Sequence, residues 1–113
     1  MAYNEALAVR IRDLLAGDAG VAEKKMFGGV AFLVDGNMAI AASGQGGILV
    51  RVDPARSDQL VDTTKAEIAV MRNRPMQGWL RVAPEHLRTK RQLVKWVDLG
   101  TARARSLPAK IKP

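Results

Sequence analysis

Along the first stretch of the chain, Leu7, Ile11, Leu14 and Leu15 fall at i, i+4, i+7 and i+8. That spacing follows a 3.6-residue period and predicts an amphipathic helix over residues 3 to 16. Asn4 is placed to cap its start and Gly17 to end it, with a turn over residues 18 to 20. The pattern then shortens. "VAFLVDGNMAIAAS" holds two apolar runs separated by Asp35-Gly36-Asn37. Asp-Gly suits a tight hairpin, whose turn residues must tolerate positive φ. Residues 29 to 34 and 38 to 43 are therefore expected to pair antiparallel, and after the turn "SGQGG" a third strand follows over 48 to 52.

Asp53-Pro54 ends that run and opens a helix over 54 to 63, with Asp53 as cap and Pro54 at the first helical position. Leu60 and Val61 are its main apolar residues. Two more strands are expected near 67 to 72 and 78 to 82, with Asn73, Pro75 and Gly78 marking a loop between them. Pro84 is expected to open a last helix whose apolar face carries Leu87, Leu93, Val94, Trp96 and Val97, with Gly100 ending or kinking it. The order is helix, three strands, helix, two strands, helix. This predicts an α+β fold with an antiparallel sheet of about five strands and helices on one face.

Composition narrows the picture. A chain of 113 residues with 48% hydrophobic residues suits one domain over 1–113, with a tail that trails off from about residue 107. No run approaches the roughly 20 apolar residues of a membrane helix. The charged residues Glu5, Arg10, Arg12 and Asp13 interrupt what a secretory signal would need, so the cytoplasm is the expected compartment. The absence of cysteine excludes disulfides and thiolate metal sites. The net charge of +7 is uneven: residues 1 to 83 carry +1 and residues 84 to 113 carry +6. A basic end of this kind attracts phosphate backbones or acidic surfaces.

The motif "KKMFGGVAF" raises the question of a phosphate cradle. Neither Gly28-Gly29 nor Gly44-Gln45-Gly46-Gly47 is followed by the Lys-Ser/Thr of a nucleotide loop, and Leu49 stands where a dinucleotide fingerprint needs its third glycine. His86 is the one histidine, with only Glu85 beside it, which reads as a surface residue. Ser43, Ser57 and Ser106 lack any nucleophile-elbow context. Asp53, Asp58 and Asp62 read as a cap and an exposed helix face. No catalytic residue, cofactor or metal is expected. "MRNRPMQGWLRV" stands out instead. Arg72, Arg74, Trp79 and Arg81, with Arg51 set among apolar neighbours, combine guanidinium groups with an aromatic ring. The plainer reading of Trp79 and Leu80 is strand alternation that sends one of them into the core.

Four stretches taken in order, "KKMFGGVAFLVDGNMAIAAS", "GGILVRVDP", "RPMQGWLRV" and "LVKWVDLGTARARSLPAK", resemble the TfoX (Sxy) N-terminal domain family from about Lys24 to Lys110, as a short stand-alone member. The resemblance implies an α-β(3)-α-β(2)-α fold similar to secretion chaperones. It implies no catalytic residues, and longer members regulate natural competence and transcription in bacteria. In that light Phe27-Gly28-Gly29 is structural, a bend where the first long strand begins with Phe27 packed beneath.

Three functional readings follow. The first is a regulatory or adaptor module acting by protein contact through Arg51, Arg72, Arg74, Trp79 and Arg81, with homodimerisation expected by analogy. The second is nucleic-acid binding through Arg88, Lys90, Arg91, Lys95, Arg103 and Arg105. The third is binding of a small anionic ligand near Arg51 and Arg74.

Overall fold

Leu7, Ala8, Ile11 and Leu15 form the buried stripe of α1, Glu5–Leu15, as the 3.6-residue spacing requires. The structure is a computed structural model and describes residues 5–26, 28–44 and 46–108. Asn4 and Phe27, assigned a cap and a packing role from sequence, lie outside the described residues.

Among the described residues, six antiparallel strands follow in the spatial order β1-β2-β3-β4-β6-β5. They are β1, Val21–Met26; β2, Gly29–Val34; β3, Asn37–Ala42; β4, Ile48–Arg51; β5, Glu67–Met71; and β6, Arg74–Val82. The Asp35-Gly36 turn has φ of 52° and 84°, the positive values this two-residue hairpin demands, and joins Val34 to its partner Asn37. β1 is an addition to the sequence reading. Its residues, Val-Ala-Glu-Lys-Lys-Met, are mostly exposed at the sheet edge, so no apolar alternation betrays them. Lysines on an edge strand discourage further strand pairing. Gly28 lies in the β1–β2 turn and Gly29 opens β2, so the glycine pair shapes a hairpin between two strands.

β5 and β6 also form a tight hairpin, in place of the expected loop. Met71 pairs with Arg74, and Arg72 and Asn73 make the turn with φ of 52° and 63°. Pro75 is accommodated because β4 pairs only with residues 79–82 of β6, so β5 is the sole neighbour at that point. Ile68 pairs with Leu80 but Ala69 pairs with Met76, which leaves Gln77, Gly78 and Trp79 bulging from β6. Gly78 sits there at φ 90°. Its carbonyl accepts the Val52 N–H at 2.8 Å, and its N–H donates to Ser57 Oγ at 2.7 Å.

Between β4 and β5 the chain makes a 3-10 turn, Pro54–Arg56, and then α2, Ser57–Thr63. Asp53 caps the turn through Oδ1, which accepts the Ala55 N–H at 3.0 Å, as expected. The last helix starts later than Pro84 suggests. Pro84–His86 form a separate 3-10 turn, and α3, Lys90–Ser106, begins after Thr89. Thr89 and Gln92 form a reciprocal capping box, which satisfies two end groups at once. Gly100 does not end α3, which runs on to Ser106. It lies buried in mid-helix, where an added Cβ would stand 2.5 Å from the Ala39 carbonyl oxygen.

All three helices cover one face of the sheet. Phe32, Val34, Ile40, Val50 and Leu80 point toward them and join Ile11, Leu60, Leu93, Trp96 and Val97 in the main core. Trp96 is 4% exposed and Phe32 fully buried. Among the described residues, no helix is long and apolar enough to cross a membrane.

Candidate interaction face

Among the described residues, the other face of the sheet carries no helix. Ala31, Ala41, Leu49 and Ala69 form its floor with Met38, and Met26, Leu33 and Trp79 pack around them. Small side chains on adjacent strands leave longer neighbours free to lie across them. Arg51 and Trp79 face each other across β4 and β6, and the Arg51 guanidinium lies 5.0 Å from the centre of the Trp79 ring. The geometry satisfies a cation–π contact. Arg51 is half-buried, and desolvation, with the charge of Arg103 as a second cause, holds its pKa below the usual arginine value.

Arg81 lies two residues beyond Trp79, between Leu49 of β4 and Glu67 of β5. Its Nη1 donates to Ser43 Oγ at 3.3 Å. The structure thus brings Arg51, Trp79 and Arg81 into one contiguous group. Met76, paired with Ala69 and 36% exposed, extends it toward the hairpin tip. Arg72 and Arg74 are both exposed there, but they do not share a strand face as their spacing suggests: Arg72 sits in the turn and Arg74 starts β6. Trp79 is half-exposed and Leu80 takes the core position, so strand alternation holds with Trp79 on the outer side.

The basic residues of the C-terminal part are dispersed. Arg88, Lys90, Arg91, Lys95 and Arg105 are exposed, whereas Arg103 is half-buried. The Lys95 ammonium lies 5.6 Å from the Trp96 ring centre. Arg105 Nη2 stands 3.6 Å from Asp18 Oδ2, which offsets part of its charge. The backbone carbonyls of Arg88 and Thr89 accept from Arg10 at 3.5 and 3.3 Å.

The serines are engaged in the fold. Ser57 is buried and accepts from Gly78, Ser43 accepts from Arg81, and Ser106 donates to the Arg103 carbonyl at 2.6 Å. His86 is half-buried, beside Lys65, Glu67, Arg81 and Glu85 in an open cleft of ≈ 370 Å³. Among the described residues, no group of three or more His, Asp or Glu is placed to hold a metal ion. Four surface clefts stand out, and neither Arg51 nor Arg74 lines any of them.

Sequence reasoning missed several pieces of this architecture: the Ser57–Gly78 bond, the cleft that Arg56 and Arg103 both line, and Asn37. Asn37 Nδ2 donates to the carbonyls of Ala104 and Pro108 at 3.4 and 2.9 Å, tying the start of β3 to the end of α3. None of these pairs is close in sequence, so no local motif announces them.

No curated relative and no solved structure matches the chain. The family model described as TfoX N-terminal domain matches residues 13–104. That match runs from the end of α1 to the end of α3 and takes in all six strands, so this chain belongs to the TfoX N-terminal domain family.

Proposed function

We propose that this protein is a non-catalytic regulatory or adaptor module of the cytoplasm, acting by protein contact through the helix-free face of its sheet. The observation that carries this reading is the Arg51–Trp79 cation–π contact, near Arg81 and the exposed Met76. Tryptophan and arginine dominate the energetics of many protein interfaces, because each offers a large, stiff surface with a polar edge. Both residues sit on paired strands and already contact each other, and an arrangement formed before binding lowers its ordering cost. A role in transcriptional or competence-type regulation rests on the family resemblance alone. Homodimerisation is part of the proposal by analogy, and sedimentation velocity over a concentration series tests it.

The test of the main reading is a comparison of wild type with Trp79→Ala and Arg51→Ala in affinity capture after crosslinking. A protein held by wild type and lost by both variants supports the reading, provided both variants unfold cooperatively. Partners retained equally by all three would remove this face as the contact surface.

A second reading, nucleic-acid binding, draws on the exposed Arg91 and Lys95 of α3 with Arg88 and Lys90 just before them. It predicts binding to short labelled DNA or RNA whose affinity falls steeply with salt. Asp98 on the same exposed side and the Arg105–Asp18 pair weaken that case.

A further inference from the structure

A groove of ≈ 210 Å³ opens between the 3-10 turn with α2 on one side and the C-terminal half of α3 on the other. Leu60 and Leu99 supply apolar walls, and Asp53, Arg56, Arg103 and Ser106 supply polar ones. Arg103 Nε is shielded from water there and has no hydrogen-bond partner among the described residues. A guanidinium N–H in that position is costly, because charged groups lose the most on desolvation. Water does not reach Nε itself, so an occupant of the groove meets the rest of the Arg103 side chain, which lines it and is half-buried.

The charges around the groove point the same way. Among the described residues, no carboxylate lies within ion-pair distance of Arg56 or Arg103. The one carboxylate in the wall, Asp53, directs Oδ1 to the Ala55 N–H. Ser106 spends its hydroxyl proton on the Arg103 carbonyl. The groove is thus lined by two arginines and one carboxylate, which is engaged with backbone and paired with neither, and the Arg103 charge also bears on Arg51.

We propose that this groove binds a small organic oxyanion, a carboxylate or phosphate monoester, with Arg103 and Arg56 as its donors. Guanidinium groups suit both, since their paired N–H groups match two oxygens at once. The volume is below the roughly 300 Å³ at which drug-sized ligand sites begin, so the occupant is a small headgroup with a short carbon part against Leu60 and Leu99. The site is separate from the Arg51–Trp79 face, and either proposal stands if the other fails.

The test is an NMR titration that follows the Arg103 Nε–H resonance of the full chain. Phosphoserine and succinate are added separately at constant ionic strength, with chloride as the control. Saturable movement of that resonance with either anion and not with chloride supports the site. Saturation by phosphoserine alone identifies a phosphoester, by succinate alone a carboxylate, and by both a shared oxyanion site. The exposed Arg56→Gln is expected to weaken saturation about tenfold, through the loss of a charged donor. Arg103→Lys, which keeps the charge but loses the paired N–H fork and the reporter itself, is followed through the Ala102 backbone amide and is expected to weaken saturation as well. A linear shift, a shift equal to that of chloride, or saturation unchanged in Arg56→Gln overturns the proposal. So does a response to duplex DNA with none to either small anion, which instead supports the nucleic-acid reading.

Discussion

Ser57 Oγ accepts the backbone N–H of Gly78 at 2.7 Å, and both residues are buried. The bond joins the first turn of α2 to the bulge that interrupts the β5–β6 ladder. A backbone N–H inside a bulge has no ladder partner, so a side chain from the neighbouring helix supplies one. Trp79 follows directly, and its place opposite Arg51 depends on this bulge. Ser57→Ala is expected to lower stability by about 1–3 kcal/mol, the cost of a buried donor left unpaired. Gly78→Ala adds a Cβ to a residue at φ 90° and 3.0 Å from Pro54 Cγ, so both backbone and packing resist it. Urea unfolding checks each, and an unchanged midpoint in Ser57→Ala would show that the bulge holds without the helix.

Trp79 and Leu80 are adjacent, yet they face opposite sides of the sheet. Leu80 is fully buried under the helices, so Leu80→Ala should cost about 2–5 kcal/mol. Trp79 is half-exposed and contacts Arg51. Arg51→Ala should remove about 0.5–1 kcal/mol of cation–π energy. Trp79→Ala is expected to cost less than Leu80→Ala, despite removing a larger side chain. Chemical denaturation of the three variants gives the order, and a larger loss at Trp79 would make it a core residue and weaken its assignment to an interface.

Much of this architecture is legible from local patterns. The α1 stripe, the Asp35-Gly36 hairpin, β2 to β4 and the Asp53-Pro54 helix start each carry a signal within a few residues. What escapes is set by distant parts of the chain. β1 is polar because it is an edge strand, and it exists because β2 offers it a ladder. Pro75 and Gly78 read as loop residues, but a strand accepts them where its second neighbour is missing or where a bulge is needed. The site follows the same division. The sequence names Arg51, Trp79 and Arg81 by residue type, and only the β4–β6 register sets Arg51 against Trp79, with Arg81 two residues along β6, while Arg72 sits in the turn and Arg74 at the far end of the strand.

Gly100 tests packing against helix propensity. In an exposed helix interior, Gly→Ala gains about 1 kcal/mol. Here the new Cβ would lie 2.5 Å from the Ala39 carbonyl oxygen and 3.1 Å from Val50 Cγ2. Ala39 is the extra residue of a small bulge in β3, between Met38, which pairs with Leu33, and Ile40, which pairs with Phe32. The obstacle is therefore backbone, which cannot rotate away. The helix must shift off the sheet, at a cost of about 1–3 kcal/mol for overpacking. Gly100→Ala is expected to lower the thermal midpoint. A higher midpoint would mean that α3 has room to move.

The edge strand β1 is tied to α1 by a two-pronged ion pair, with Arg12 Nε and Nη2 2.6 and 2.7 Å from the two Glu23 carboxylate oxygens. The hydrogen bond from Arg12 is the main cause that holds the Glu23 pKa below its ordinary value of 4.5, against a smaller opposing effect of burial. The folded protein therefore releases this proton more readily than the unfolded chain does. The contribution is present in full above the unfolded value, and it fades as pH falls through the lowered folded one. Both side chains are more than a third exposed, at 47% and 38%, so solvent screens the pair and its worth is about 0.2–1 kcal/mol. Arg12→Met, which keeps much of the aliphatic stem, should lose that amount at neutral pH and almost nothing at strongly acid pH. Urea midpoints measured from neutral pH down into the acid range should converge for wild type and variant as the carboxylate protonates. High salt at neutral pH should narrow the gap in the same direction. A gap that persists unchanged in acid would assign the loss to packing of the Arg12 stem instead of the ion pair.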